Sequence, residues 1–223
     1  MTGYDAVLFD SDGILVDPPE YDTKVEATRA AFAEVGVENA TQGQVDDIVT
    51  GTTTERLREI CADHNVDVEA FWEARERLDE QSQFAKFEAG SRTRYDDVTS
   101  ISALSQTRGV VSNNHHSTIR FVLDFFDFEH LFDTYYGREM TVESLKLKKP
   151  NTHYLDQARA DLGGESVLYV GDSESDVIAA RRAGMDSAFV RRPHCEHLEL
   201  SVTPTYELRT LHGVTDIVEE GTN

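Results

Sequence analysis

Carboxylates follow two apolar stretches of the sequence in closely spaced pairs. Residues 6–9 run into Asp10 and Asp12, and a later apolar stretch runs into Asp172 and Asp176. Two pairs of like charges need a cation if they are to lie close together. Carboxylate and carbonyl oxygens, without His or Cys, are the ligands that Mg²⁺ prefers. The sequence therefore predicts a magnesium site made from these four aspartates.

The elements that must position these groups are predicted strands that alternate with helices. The strand candidates are Ala6–Asp10, Gly109–Ser112, Thr134–Gly137, Ser166–Gly171 and Ser187–Val190. Helical stretches follow three of them, around 117–126, 152–162 and 175–183. This alternation is typical of an α/β fold with a doubly wound parallel sheet. The carboxyl ends of its strands share one edge, so Asp10, Ser112 and Asp172 should meet there.

Residues 17–95 interrupt this alternation and contain no convincing strand. Apolar residues recur there at helical spacing, which predicts an all-helical insertion. We therefore expect an α/β catalytic core from residues 1–16 and 96–223, and a small helical cap domain over 17–95. Phe32, Phe71 and Trp72 are interpreted as the core of that cap rather than as a substrate site.

Four short motifs in the sequence resemble those of a known family. Asp10-Ser11-Asp12-Gly13, then Ser112, Lys149-Pro150 and 171–176 are similar to the four ordered motifs of the haloacid dehalogenase superfamily of phosphatases. The resemblance spans residues 5 to about 190. The insertion resembles the helical cap that many members carry after the first motif, as in the phosphoglycolate phosphatase and β-phosphoglucomutase types. Ile14 departs from the pattern, because the family usually has Thr there.

The resemblance implies a role for each motif residue. Asp10 would attack a small phosphate monoester and form an aspartyl-phosphate, while Asp12 would act as general acid and then base. Ser112 and Lys149 would bind the phosphoryl oxygens. Lys149 is chosen over its neighbours because it precedes a proline. The implied Mg²⁺ ligands are the Asp10 carboxylate, the Asp12 carbonyl and the carboxylate of Asp172, with Asp176 in support.

Three further residues are candidates for substrate binding. Asn113 follows Ser112, and Thr53 and Arg56 lie in a hydroxyl-rich turn that opens a helix of the insertion. In the resembling family this cap loop selects the leaving group. An ordinary capped helix start explains Thr53 and Arg56 equally well.

Other functions remain open on these motifs. A phosphomutase shares all four motifs, whereas a haloacid dehalogenase would lack the second aspartate, Asp12. A non-catalytic binding module is disfavoured by the complete motif set. His194, Cys195 and His197 do not have zinc-site spacing, so we interpret them as a surface loop.

Composition limits the partners. The 223 residues include 42 acidic and 21 basic ones, a net charge of −21, which disfavours nucleic acid. No apolar run is long enough to span a membrane, and no secretion signal is recognised. Two distant cysteines favour a reducing compartment, so we expect a cytoplasmic protein, monomeric or weakly dimeric. Dispersed acid with only five lysines resembles halophilic proteins, although an acidic mesophilic enzyme is the alternative.

Overall fold

The structure, a computed structural model, describes residues 3–220. Its described part contains six strands, and all five predicted strands are among them. The strands are β1 (Ala6–Phe9), β2 (Thr107–His115), β3 (Thr134–Arg138), β4 (Val167–Gly171), β5 (Asp186–Val190) and β6 (Tyr206–Leu208). The three-residue β6 was not predicted, because it is too short for its alternation to stand out.

The strands form one sheet in the order β3-β2-β1-β4-β5-β6. β1 lies between β2 and β4 and is parallel to both, with Phe9 level with Val110 and Val170. All four residues of β1 are fully buried, since a parallel sheet of this kind is covered by helices on both faces. The predicted α/β fold class is confirmed. Asp10 is the first residue after β1, at the carboxyl edge of the sheet.

Eight α-helices accompany the sheet within residues 3–220. They are α1 (Tyr21–Glu34), α2 (Gln42–Val49), α3 (Thr54–Asp63), α4 (Val68–Glu88), α5 (His116–Phe125), α6 (His153–Leu162), α7 (Glu174–Arg182) and α8 (His212–Glu220). The three helices expected between the later strands are α5, α6 and α7. Four more, α1 to α4, occupy the region predicted to be helical.

The chain divides into two compact units. The α/β unit comprises the chain up to Asp17, Thr93–Gly137 and the chain from Lys148, and the helical unit comprises Pro18–Arg92 and Arg138–Leu147. Phe32, Phe71 and Trp72 belong to the apolar core of the helical unit. The segment 138–147 was not foreseen as part of that unit, and the cap boundaries at 17 and 95 stay a prediction.

Two further features are the absence of a membrane-spanning helix among the described residues and the state of the two cysteines. No helix among the described residues is both long and apolar enough to cross a membrane. Cys61 and Cys195 are both buried and free, and burial raises the pKa of each thiol. Neither cysteine is therefore an exposed, reactive group.

Candidate active site

Lys149 joins two of the predicted carboxylates. Its Nζ lies 2.9 Å from Asp10 Oδ2 and 2.7 Å from Asp176 Oδ1. All three residues are buried, with Asp176 only 1% exposed. Asp10 follows β1, Lys149 precedes α6, and Asp176 lies in the first turn of α7. The sheet therefore brings together three groups that are up to 166 positions apart in the sequence.

The ammonium of Lys149 is also held by neutral groups. It lies 2.6 Å from Tyr169 Oη and 3.2 Å from the Val111 carbonyl, and Tyr169 Oη donates to the same carbonyl over 2.8 Å. Asn113 fixes the backbone of Lys149, because its Oδ1 accepts from the Lys149 N–H at 2.7 Å and its Nδ2 donates to the Lys149 carbonyl at 3.3 Å. Asn113 thus positions Lys149, and its contact with substrate stays a prediction.

Burial and neighbouring charges have opposite effects on the pKa values of Asp10 and Lys149. Burial raises the pKa of Asp10 to about 7, although the charge of Lys149 lowers it. Burial also opposes the charge of Lys149, but Asp10 and Asp176 outweigh it and raise the pKa of Lys149 well above its usual value. Lys149 is therefore a permanent cation. A further positive charge near Asp10 would lower the pKa of Asp10 and stabilise its ionised form.

Asp176 is built into the start of α7. Its Oδ2 accepts hydrogen bonds from the backbone N–H of Asp172 at 3.2 Å and of Ser173 at 3.0 Å, and Ser173 Oγ in turn caps the helix. Gly171 makes the close approach possible, since a Cβ there would lie 2.4 Å from that of Asp176. Asp176 therefore takes part in capping α7, and its other oxygen still reaches Lys149.

Asp172 contacts a residue that was expected in a surface loop. His194 Nε2 lies 2.6 Å from Asp172 Oδ2, and neighbouring Cys195 is buried against Val177 and Phe189. The surface-loop interpretation is therefore wrong for Cys195, whereas His194 is exposed as expected but contacts Asp172. Nothing in the sequence pattern signals the contact, because 22 residues separate the partners.

Asp10, Asp172 and Asp176 fit a hard divalent cation. One carboxylate oxygen from each lies within 4.8 Å of the other two. The cluster combines three carboxylates with one ammonium, so its formal charge is −2 when all four groups are ionised. Burial raises the pKa of Asp172 as it does that of Asp10, and Asp176 raises it further. An oxygen-only donor set with excess negative charge matches the ligand preference of Mg²⁺.

Asn114 links two of the predicted residues, Asp12 and Ser112. Its Nδ2 donates to Asp12 Oδ2 at 2.8 Å, and its N–H donates to Ser112 Oγ at 3.3 Å. Ser112 lies within β2 rather than at its end, because the strand continues to His115. The apolar run alone placed the end of that strand three residues early. Sequence reasoning did not assign Asn114 a role, although its place two residues after Ser112 could have suggested one.

Thr53 and Arg56 lie in the helical unit. Thr53 Oγ1 caps α3 by accepting from the Arg56 N–H at 3.1 Å. The Arg56 guanidinium is 2.8 Å from Asp47 and 3.0 Å from Glu59, and its side chain is 41% exposed. These contacts are those of an ordinary capped helix start. A contact with substrate stays a prediction for both residues.

A parallel sheet with carboxylates at its carboxyl edge is the arrangement expected of a hydrolase that resembles the haloacid dehalogenases. Residues 7–190 match the haloacid dehalogenase-like hydrolases, and the chain belongs to that family. A phosphoglycolate phosphatase of Cereibacter sphaeroides is 28% identical over 219 residues, covering 92% of this chain and 93% of that protein.

Solved structures share the fold. CbbY from Rhodobacter sphaeroides, in complex with phosphate, superposes with a TM-score of 0.71 at 18% identity, over 95% of this chain and 96% of that one. A protein described as a predicted phosphoglycolate phosphatase from Haemophilus somnus gives 0.65 at 20% identity, over 97% and 99%. The expected family, fold class and hydrolase activity on phosphate esters are confirmed.

Proposed function

We propose that this protein is a Mg²⁺-dependent phosphatase that hydrolyses a small phosphate monoester through an aspartyl-phosphate on Asp10. The observation that carries the proposal is the buried group of Asp10, Lys149, Asp172 and Asp176 at the carboxyl edge of the sheet. A carboxylate nucleophile beside a fixed ammonium, with acidic residues in excess, suits phosphoryl transfer, in which charge stabilisation dominates.

The chemistry of the chain's own groups has two steps. A carboxylate oxygen of Asp10 bonds to phosphorus while the ester oxygen leaves and takes a proton from Asp12. Water then attacks the phosphoryl group, Asp12 accepts the proton, and the bond to Asp10 breaks to release phosphate. Asn114, which donates to Asp12 Oδ2, would orient that carboxyl group.

Lys149 would bind a phosphoryl oxygen and keep Asp10 ionised. Ser112, which lies within β2 three residues before its end, would donate from Oγ to another phosphoryl oxygen. Asp10, Asp172 and Asp176, with the Asp12 carbonyl, would hold the Mg²⁺. When bound, the cation would offset the repulsion between the phosphate and these carboxylates.

Substrate choice belongs to the proposal as well. The Cereibacter sphaeroides relative makes phosphoglycolate the first compound to test. We assign Asn113, Thr53 and Arg56 to substrate binding, Asn113 because it follows Ser112 and the other two because the cap loop selects the leaving group in the resembling family. The protein would act in the cytoplasm as a monomer or weak dimer, in a salt-rich cell. The two free buried cysteines and the net charge of −21 support this setting.

The test is phosphate release from a panel of phosphorylated metabolites with Mg²⁺. Asp10→Asn keeps the side-chain shape but loses the nucleophile, so its rate should fall about 1,000-fold or more. Asp216→Asn, on the exposed face of α8, is the charge-matched control and should keep full activity. Arg56→Ala is assayed on the same panel for a changed substrate ranking. Full activity of Asp10→Asn would refute the mechanism, and transfer of phosphate between sugar positions without release would indicate a mutase.

A further inference from the structure

The segment Arg191–Cys195 follows β5. It contacts the acidic loop after β1 and the acidic residue Asp172 after β4. From this segment, the Arg192 side chain is 7% exposed and donates to the carbonyls of Gly13 and Ile14, at 3.3 and 3.1 Å. The same guanidinium pairs with both carboxylate oxygens of Asp97, at 2.8 and 2.9 Å. Arg192 therefore anchors the segment to the loop that carries Asp10 and Asp12.

This anchor lies at the one position where the first motif departs from the family pattern. Ile14 is fully buried and has no side-chain hydrogen-bonding group. The loop is closed instead by backbone bonds, such as that from the Gly13 N–H to the Val16 carbonyl at 2.7 Å, and by Arg192. The hydrogen bonds of Arg192 thus link segment 191–195 to the loop.

His194 extends from this anchored segment to Asp172. Its Nε2 lies 2.6 Å from Asp172 Oδ2, and the side chains are 32% and 11% exposed. The turn is closed by the Cys195 N–H, which donates to the Arg192 carbonyl at 3.0 Å. Cys195 Sγ packs in the apolar core and lies 3.5 Å from two backbone carbonyls, and it is within 4.8 Å of a side-chain ligand atom of Asp172 and of His194.

Gly13 shows how tightly the pair fits. Its φ of +79° suits glycine, and a Cβ at this position would lie 1.8 Å from Asp172 Oδ2 and 3.1 Å from His194 Nε2. The His194–Asp172 pair therefore packs directly on the loop between Asp10 and the buried Ile14. A carboxylate in such a place has little room to rotate while the imidazole holds one oxygen.

We propose that His194 is a positioning residue for the divalent cation, holding the carboxylate of Asp172 through a hydrogen bond from Nε2. This inference rests on the proposed metal site. The 2.6 Å separation is a charge-assisted hydrogen-bond distance. Groups that orient a metal-binding carboxylate typically change metal affinity by about 10-fold to 100-fold when removed. His194 acts through Asp172 and does not touch the reacting atoms.

The experiment is calorimetric titration of the substrate-free protein with Mg²⁺ and, separately, Mn²⁺. His194→Ala should weaken both cations by about 10-fold to 100-fold. His194→Gln keeps a donor and should recover part of the affinity. His197→Ala, on an exposed histidine three residues later, is the matched control and should bind as the unmodified protein does. Asp172→Asn should bind neither cation.

The outcomes separate the inference from the proposed function. If Asp172→Asn binds Mg²⁺ normally, the proposed metal site itself is wrong. If Asp172→Asn loses binding but His194→Ala does not, only the positioning role is overturned. Weakening of Mn²⁺ alone would make His194 a direct ligand and would also overturn it. In activity assays, saturating Mg²⁺ should restore the kcat of His194→Ala, which a merely structural defect would not allow.

Discussion

Two buried groups of charged residues, one in each unit, differ in their balance of charge. In the helical unit, two arginines pair with two carboxylates on and beside α4. Arg75 lies 2.7 Å from Glu76 and 3.3 Å from Asp79, and Arg138 pairs with the second Glu76 oxygen. Both guanidiniums also lie over Trp72, at 5.5 and 5.7 Å from the ring centroid. Opposite charges in this group cancel.

The group in the α/β unit does not cancel. Asp10 and Asp176 pair with the ammonium of Lys149, Asp172 lies beside these two carboxylates, and burial raises the pKa of Asp10 and of Asp172. Buried charges are stable when they are paired within the fold, as in the helical unit. An unpaired excess is tolerated where a ligand supplies the opposite charge. The difference separates a group whose charges are paired within the fold from one that we propose binds a cation.

The largest effect should follow from removing the only cation of the α/β group. Lys149→Met leaves three carboxylates buried together, so we expect the free energy of unfolding to fall by about 3–5 kcal/mol without metal. Added Mg²⁺ should recover much of this loss. Urea unfolding with and without Mg²⁺ measures both. A loss that Mg²⁺ leaves unchanged would contradict the cation-binding interpretation.

Glu76→Gln should cost a similar or slightly smaller amount, about 3 kcal/mol, because it leaves Arg75 and Arg138 without their shared carboxylate. Mg²⁺ should leave this difference from the unmodified protein unchanged, because it binds the α/β group equally in both and cannot offset the excess positive charge that Glu76→Gln leaves. Glu59→Gln removes an exposed pair with Arg56 and serves as control, with an expected change below about 0.5 kcal/mol. Recovery of Glu76→Gln by Mg²⁺ would erase the distinction between the groups.

A smaller effect is the release of a proton from Asp10 when Mg²⁺ binds. The pKa of Asp10 rises from 3.8 to about 7 on folding, so between these values the folded, metal-free protein holds a proton that the unfolded chain has lost. The contribution of Asp10 to stability therefore falls as pH rises through this window. A cation binds the charged form, so Mg²⁺ binding near pH 6 should release up to about one proton from Asp10.

Calorimetry in two buffers of different ionisation enthalpy measures that release. It should shrink above about pH 8 and decrease in Asp10→Asn, which has no proton to lose at that position. Asp172, whose pKa is also raised, should account for the release that remains. Equal release at both pH values would contradict the raised pKa of Asp10.

Salt should have the smallest effect and should act on the surface rather than on either buried group. With a net charge of −21, repulsion between exposed carboxylates opposes folding, and molar salt shortens the screening length to about 3 Å. We expect Tm to rise by several degrees from dilute to molar KCl, and equally in NaCl. A flat or falling Tm would leave the mesophilic alternative. The loss caused by Glu76→Gln should hardly change with salt.

Much of the fold was predictable, because apolar strands that run into Asp10 and Asp172 are local patterns. The helical insertion was equally visible, since Phe32, Phe71 and Trp72 recur at helical spacing. Segment 138–147 was less so: Arg138 directly follows the strand predicted at Thr134–Gly137, and it pairs with Glu76, which lies 62 positions away. Neither strand nor helix periodicity reports such a pairing.

The sequence by itself determined which chemistry is available: carboxylates after buried strands, one lysine before a proline, and motifs in a recognisable order. Only the tertiary structure decided which groups share charge. It placed Lys149 between Asp10 and Asp176, and it brought His194 to Asp172 from what looked like a surface loop. The reason is physical. Residue type and spacing set local conformation, whereas the charge balance of a buried site depends on side chains that meet only when distant elements pack.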